Sequence, residues 1–403
     1  MRQMALRRLA GAALGVVLAL EPAMAEVAVG EEAAPQPAPG ALAQDDPNFQ
    51  LYQPQDADER GLWMEMNEAE RDLKGSPAVI RDPELNAYVH DVLCRTTGQD
   101  ECRNVRLYLV RTPYFNASMA PNGVMEVWSG LLLRVENEAQ LSAILGHEYT
   151  HFKNRHTVQL FREAKEKSNA AAWLSFTGLG LITSLVLMGQ LYKFSRDMER
   201  EADLGGLDLM AKAGYDTREA AVIWEHLRAE MDATALERKT KSRKDKDGGI
   251  FGTHPPSKER VDNLTQAALA EPGVPGATGE KEFRAAMARL WPDFVDDQLK
   301  MNDFGASDFL LTSLGGDGWT PELLYARGEL YRRKGTADSM AQAAGFYSEA
   351  IDGGGTIAEL WRGRGLTRLK LGQDANGKAD LKEYVARSPK AGDAAMMTML
   401  SGG

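Results

Sequence analysis

The chain has 403 residues, too many for one ordinary core and enough for two or three folding units at ~150 residues each. Its 47 Lys and Arg against 58 Asp and Glu give a formal charge of −11, which excludes the basic excess that nucleic-acid partners require. A hydrophobic content of 43% excludes a fibrous or wholly disordered chain, and two cysteines exclude a disulfide-dense scaffold or a zinc site built from cysteine alone.

Arg2, Arg7 and Arg8, the apolar run Leu9 to Leu20 and then Ala23-Met24-Ala25 follow the order of a secretory signal peptide over residues 1–25, cleaved near Ala25. The apolar run is shorter than the ~20 residues that span a bilayer. This predicts export to the periplasm, an oxidising compartment in which Cys94 and Cys102 can close a small loop; two free buried thiols are the alternative. Residues 26–50, with Pro35, Pro37 and Pro39, read as a flexible tether.

Helical patterning runs from Asp56 to Leu73 and again from Pro83 to Leu93. Residues 105–112 alternate as a half-buried strand does, Pro121-Asn122-Gly123 signals a turn, and Val124 to Trp128 reads as a returning strand, so a hairpin is predicted. Glu136 to Lys153 and residues 196–213 are two further helices. Glu271 to Gly279, rich in Gly and Pro, reads as a linker. Beyond it, Arg327, Gly328, Gly335 and Tyr347 recur as Arg364, Gly365, Gly372 and Tyr384, each 37 residues on, in helical patterns like those of tetratricopeptide (TPR) repeats. The predicted fold class is mainly α with a small β-sheet over residues 51–270, a connecting stretch over 271–304, and all-α helical repeats over 305–403.

The chemistry centres on His147-Glu148-Tyr149-Thr150-His151, an H-E-x-x-H segment. Four residues turn an α-helix by ~400°, so both histidines share a face and can chelate one zinc ion, with Glu148 beside the open position. A third ligand is expected from a second helix. In Glu199-Arg200-Glu201-Ala202-Asp203, Glu199 and Asp203 share a face while Glu201 lies ~200° from Glu199 and points away. Glu199 is therefore the candidate ligand, and Asp203 the carboxylate that accepts from a ligating imidazole.

These residues resemble the zinc metalloproteases of the HtpX, BepA and Oma type. The likeness rests on Asn116-Ala117, the H-E-x-x-H followed by Arg155-His156, Ser195-Arg196 leading into Glu199 to Asp203, and Thr253-His254-Pro255, and it covers roughly residues 60–265. With a signal peptide and C-terminal repeats, the BepA-like branch is the most similar. The resemblance implies a zincin-like domain binding one Zn2+ per chain and an exported endopeptidase acting on misfolded or misassembled envelope or outer-membrane proteins. It also implies that His254 can occupy the fourth zinc position and hold the enzyme inactive. The repeats depart from the BepA pattern in length and spacing; contact with outer-membrane assembly machinery through them is an expectation. The rival reading is a chaperone-like periplasmic scaffold with a latent metal site.

His254 follows a dense charge run, residues 237–247, and several glycines, which predicts a mobile loop able to swing it onto or off the metal; a capping histidine beside a proline turn is the alternative. The substrate is expected to add as a strand to the hairpin around residues 116–128, with Asn116, Ala117 and Gly123 as candidates. Tyr192, Arg196 and His226 are candidates for stabilising the oxyanion. Ala170 to Gly189 carries no charge over twenty residues, yet a single crossing would separate Glu199 from His147 and His151 by the bilayer. A hairpin, a peripheral membrane contact, a lid or an ordinary buried pair of helices stays open.

Overall fold

The computed structural model describes residues 53–167, 194–245, 254, 256–316 and 318–403; the expected signal peptide, the tether, Tyr192 and residues 170–189 lie outside them. Among the described residues no helix is long and apolar enough to cross a membrane. The first helices are α1 (Ala57–Gly75), α2 (Pro83–Thr97) and α3 (Gln99–Cys102). Asp56 caps α1 by accepting from the Glu59 N–H, and Asp82 with Pro83 starts α2, satisfying amides that a first turn leaves without partners. Cys94 in α2 and Cys102 in α3 are joined by a disulfide. Its eight-residue separation corresponds to a loop-closure contribution of about 2–3 kcal/mol. Replacing both cysteines by Ala is expected to lower the unfolding free energy by up to that amount, measured by urea denaturation.

Three strands follow, β1 (Arg106–Val110), β2 (Ala117–Met119) and β3 (Val124–Trp128), in the order β1-β3-β2. The turn at 121–123 joins β2 to β3 antiparallel, and β1 pairs with β3 parallel. The hairpin is thus built on the three-residue β2. The expected half-buried strand is corrected too, for both faces of β1 are covered. Leu107, Leu109, Met125 and Val127 join the main core, while Tyr108 and Val124 meet Met66 of α1, Val79 and Ala120. Arg106 and Tyr108 tolerate burial because both donate to the buried Glu70, the arginine in bidentate fashion at 2.8 Å.

After the short α4 (Ser129–Leu132) comes α5 (Glu138–Lys153), which is buried along nearly its whole length. Asn137 caps it, and Glu138 in its first turn accepts from Arg95, Tyr88 and Tyr215 at 2.7–2.9 Å, fixing the start of the helix in the core. Then follow α6 (His156–Lys167), α7 (Arg196–Lys212), α8 (Glu219–Glu237), α9 (Lys258–Ala270), α10 (Glu280–Met287) and α11 (Trp291–Lys300). The expected linker is held against the α7–α8 connection: Asp216 bridges to Gly273 and accepts from the Gly276 N–H, and Thr217 donates to the Glu271 carbonyl.

The rest is helical among the described residues: α12 (Phe304–Leu314), α13 (Pro321–Lys334), α14 (Ala337–Asp352), α15 (Glu359–Lys370), α16 (Asp374–Arg387) and α17 (Ala394–Ser401). Tyr347, fully buried, lies against Gly328 and Gly363, where a side chain would collide with its ring, and donates to Glu329 at 2.6 Å. Tyr384, 37 residues on, donates to Asp393 at 2.6 Å. The main core runs from Leu85 to Leu330, so the first of these helices share it with α5.

Candidate metal centre

Two helices meet at backbone distance to form the site. A Cβ built on Gly206 of α7 would stand 2.9 Å from the His147 amide nitrogen, and one on Gly146 would stand 3.1 Å from the Gly206 Cα. Only glycine fits this approach, which brings α7's carboxylates to α5's imidazoles. The ligand-type atoms of His147, His151, Glu199 and His254 all lie within 4.8 Å of one another. His147 Nε2 stands 3.1 Å from both His151 Nε2 and His254 Nδ1, and Glu199 Oε1 stands 2.8 Å from His254 Nδ1 and 3.6 Å from His151 Nε2.

The protons available do not satisfy this cluster. Glu199 Oε2 is buried with no hydrogen-bond partner, 3.5 Å from Arg260 Nη1, which is equally buried and without one. Several lone pairs converge where few hydrogens can point, and a small divalent cation with nitrogen and oxygen ligands resolves that excess. The donor set fits such an ion.

Asp203 sits behind His147, its Oδ1 2.9 Å from Nδ1, and Arg260 Nη2 stands 3.0 Å from the same nitrogen; with Nδ1 donating to the carboxylate, Nε2 faces inward with its lone pair. Arg260, near the start of α9, donates to both oxygens of Asp203 at 2.5–3.0 Å and stacks 3.7 Å over Trp224. Nothing in its sequence neighbourhood marks this arginine; its role follows from α9 crossing α7. Glu201 is turned away from the cluster, 63% exposed, but its Oε2 lies 3.2 Å from His156 Nε2.

Glu148 is buried beside the cluster, its Oε1 3.4 Å from His254 Nε2. Burial raises its pKa, only partly opposed by His254 and His147. Burial would also raise Glu199, but His254, Arg260 and His147 overcome it and hold that carboxyl down to about 2. His151 is pushed well below its usual value by burial and by the neighbouring imidazoles. His254 goes the other way: burial lowers it, and the carboxylates of Glu199 and Glu148 prevail.

Asn116 and Ala117 line a cavity of about 10 Å³ with Phe115, Ile144 and Trp224, opening on His147, Glu148 and His254. Asn116 also lends its carbonyl to the Trp128 N–H. The antiparallel ladder alternates, and since Asn116 and Ala120 bond to β3, Ala117 and Met119 aim their N–H and C=O groups at the outer edge of β2. Gly123 is in the turn instead, its carbonyl taken by Arg106, and does not line that edge. Arg196 is 87% exposed and faces Glu259, and His226 faces Glu136; neither reaches the cluster. The charge run expected to be mobile is tied through Asp245 by Arg228–Asp245, Lys244–Asp232, Arg238–Asp303 and Lys334–Glu237 pairs.

Residues 79–268 match peptidase family M48. The chain carries a peptidase family M48 domain. Its paired histidines, Glu199, Asp203, His254 and Arg260 all fall inside the M48 segment. The chain is 32% identical over 211 residues to the mitochondrial metalloendopeptidase OMA1 of Schizosaccharomyces pombe, covering 51% of this chain and 58% of that protein. It is 34% identical over 194 residues to the mitochondrial metalloendopeptidase OMA1 of Homo sapiens, covering 41% and 34%. It is 25% identical over 260 residues to the beta-barrel assembly-enhancing protease of Escherichia coli, covering 58% and 51%. The chain thus spans about half the length, or less, of these curated relatives.

Proposed function

We propose that the chain is a zinc-dependent metalloendopeptidase with one Zn2+ held by His147, His151 and Glu199. The observation that carries this is the convergence of two imidazole nitrogens and a carboxylate whose Oε2 lacks any hydrogen bond. Zinc in such a site supplies Lewis acidity and lowers the pKa of its water to about 7. Glu148 takes the proton of the attacking water and passes it to the departing amine. The substrate lies as an added strand on the outer edge of β2, donating to and accepting from Ala117 and Met119. Asp203, braced by Arg260, keeps His147 in the ligating tautomer.

His254 acts as a brake in this reading. It is buried among Glu148, Glu199 and His147, in the space that water and substrate carbonyl need. That placement also favours the rival of a latent, client-binding scaffold, and one comparison separates the two. Metal analysis of the purified full chain is expected to give one zinc per chain, with casein digestion abolished by a chelator and increased in His254→Ala. Absence of zinc overturns the metallopeptidase reading, whereas zinc with no digestion by either protein favours the scaffold.

The pattern of residues 1–25 and the Cys94–Cys102 disulfide support an exported, periplasmic enzyme. Its clients are misfolded or misassembled envelope proteins, a proposal supported by the likeness to a protease named for beta-barrel assembly. Helices α13 to α16 form two units offset by 37 residues and serve as TPR-like repeats that present clients or outer-membrane assembly partners.

A further inference from the structure

Each imidazole of the H-E-x-x-H segment has a supporting group behind it, but the two are built differently. His147 turns its Nδ1 to Asp203, a carboxylate of α7. His151 turns its Nδ1 to another imidazole, the Nδ1 of His156 at 2.9 Å, whose Nε2 stands 3.2 Å from Glu201. His156 is 1% exposed, so its ring nitrogens meet these partners rather than bulk water. The bend that brings it under His151 depends on Arg155, which adopts φ 59°, the left-handed region non-glycine residues seldom visit. The guanidinium of Arg155 is held by Gln55 and Glu59, both at 2.6 Å, so the bend is fixed from outside the site.

The protons in this chain follow by elimination. Carboxylate Glu201 can only accept, so in a neutral His156 the proton resides on Nε2 and Nδ1 carries a lone pair. That lone pair accepts from His151, whose proton must then be on Nδ1. His151 Nε2, facing His147 and Glu199, is left as a lone-pair donor to a metal. A carboxylate of α7 thus supports each histidine, Asp203 directly and Glu201 through an inserted imidazole.

We infer that His156, backed by Glu201, is a positioning residue of the metal centre: it selects the metal-binding tautomer of His151 and aims its ring. This rests on the reading of His151 as a zinc ligand. Groups behind metal-bound histidines are worth about 10–100-fold in metal affinity. Glu201 is largely exposed and its contribution is correspondingly small.

The test is zinc affinity of the full chain, measured by competition with a chromophoric chelator, with the thermal midpoint of the metal-free protein beside it. His156→Ala is expected to bind zinc about 10–100-fold more weakly. His156→Asn, whose Oδ1 replaces the accepting Nδ1, is expected to recover most of that loss, and Glu201→Gln, which still accepts from His156, to stay near wild type. A merely structural His156 would lower the metal-free midpoint with zinc affinity unchanged, or leave Asn no better than Ala; either result overturns the inference. Imidazole 15N NMR of the zinc-loaded wild type tests it without any variant: the inference requires the proton of His156 on Nε2 and that of His151 on Nδ1, and the opposite tautomer of either ring refutes it. Wild-type protein that binds no zinc would instead overturn the metal reading itself.

Discussion

Glu148→Gln is expected to lower kcat/KM for peptide hydrolysis by about 10²–10⁴-fold while the protein keeps its zinc. The substitution retains the size of the side chain and a hydrogen-bonding oxygen near His254, and it removes only the capacity to take a proton. Glu148 suits that task for two reasons. It lies one residue along α5 from His147, beside the cluster, and burial raises its pKa, which strengthens it as a proton acceptor relative to an exposed carboxylate. The assay is best run in the His254→Ala background, where the base is freed from the imidazole 3.4 Å away. Full activity of the double variant would show that another group handles the proton.

Arg260→Ala should be the most destabilising single change at the site, about 3–5 kcal/mol in the metal-free protein. Its removal leaves Asp203 and Glu199, both mostly buried, without their cation, and takes the stacked partner from Trp224. Screening by water discounts little, because the arginine side chain is 5% exposed. Urea unfolding measures the loss. Since the burden falls on Asp203, pairing Arg260→Ala with Asp203→Asn is expected to cost less than the two changes summed. A loss below about 1 kcal/mol, or strict additivity, would mean that the carboxylates are neutralised some other way.

The contrast between Glu148 and Arg260 marks what the sequence discloses. His147, Glu148 and His151 are legible because a helix alone fixes their relation: residues four apart share a face whatever surrounds them. Glu199 needed one further step, the pairing of two helices, and its spacing to Asp203 supplied it. Arg260 was beyond reach because its partners come from α5, α7 and α8, and no local pattern announces a crossing. His156 stands in the sequence only as part of a motif; its place under His151 depends on the left-handed Arg155, which composition does not reveal. Glu201 shows the limit of face arithmetic, which gave its direction and not the histidine waiting there. In the sheet, alternation at 105–112 suggested one wet face, since Arg106 and Tyr108 look like solvent-facing residues; the buried Glu70 that receives both lies far back in α1. Strand β2 is three residues long, too short for any periodicity to register.

The glycine contact between α5 and α7 bears on when proteolysis can begin. In the proposed site α5 supplies two of the three ligands, His147 and His151, and α7 the third, Glu199, so neither helix alone completes it. On the proposed reading, catalytic competence waits until these two distant stretches of polypeptide have docked at full intimacy. A copy with those helices apart by even one side chain's width would then hold its ligands without the geometry to use them.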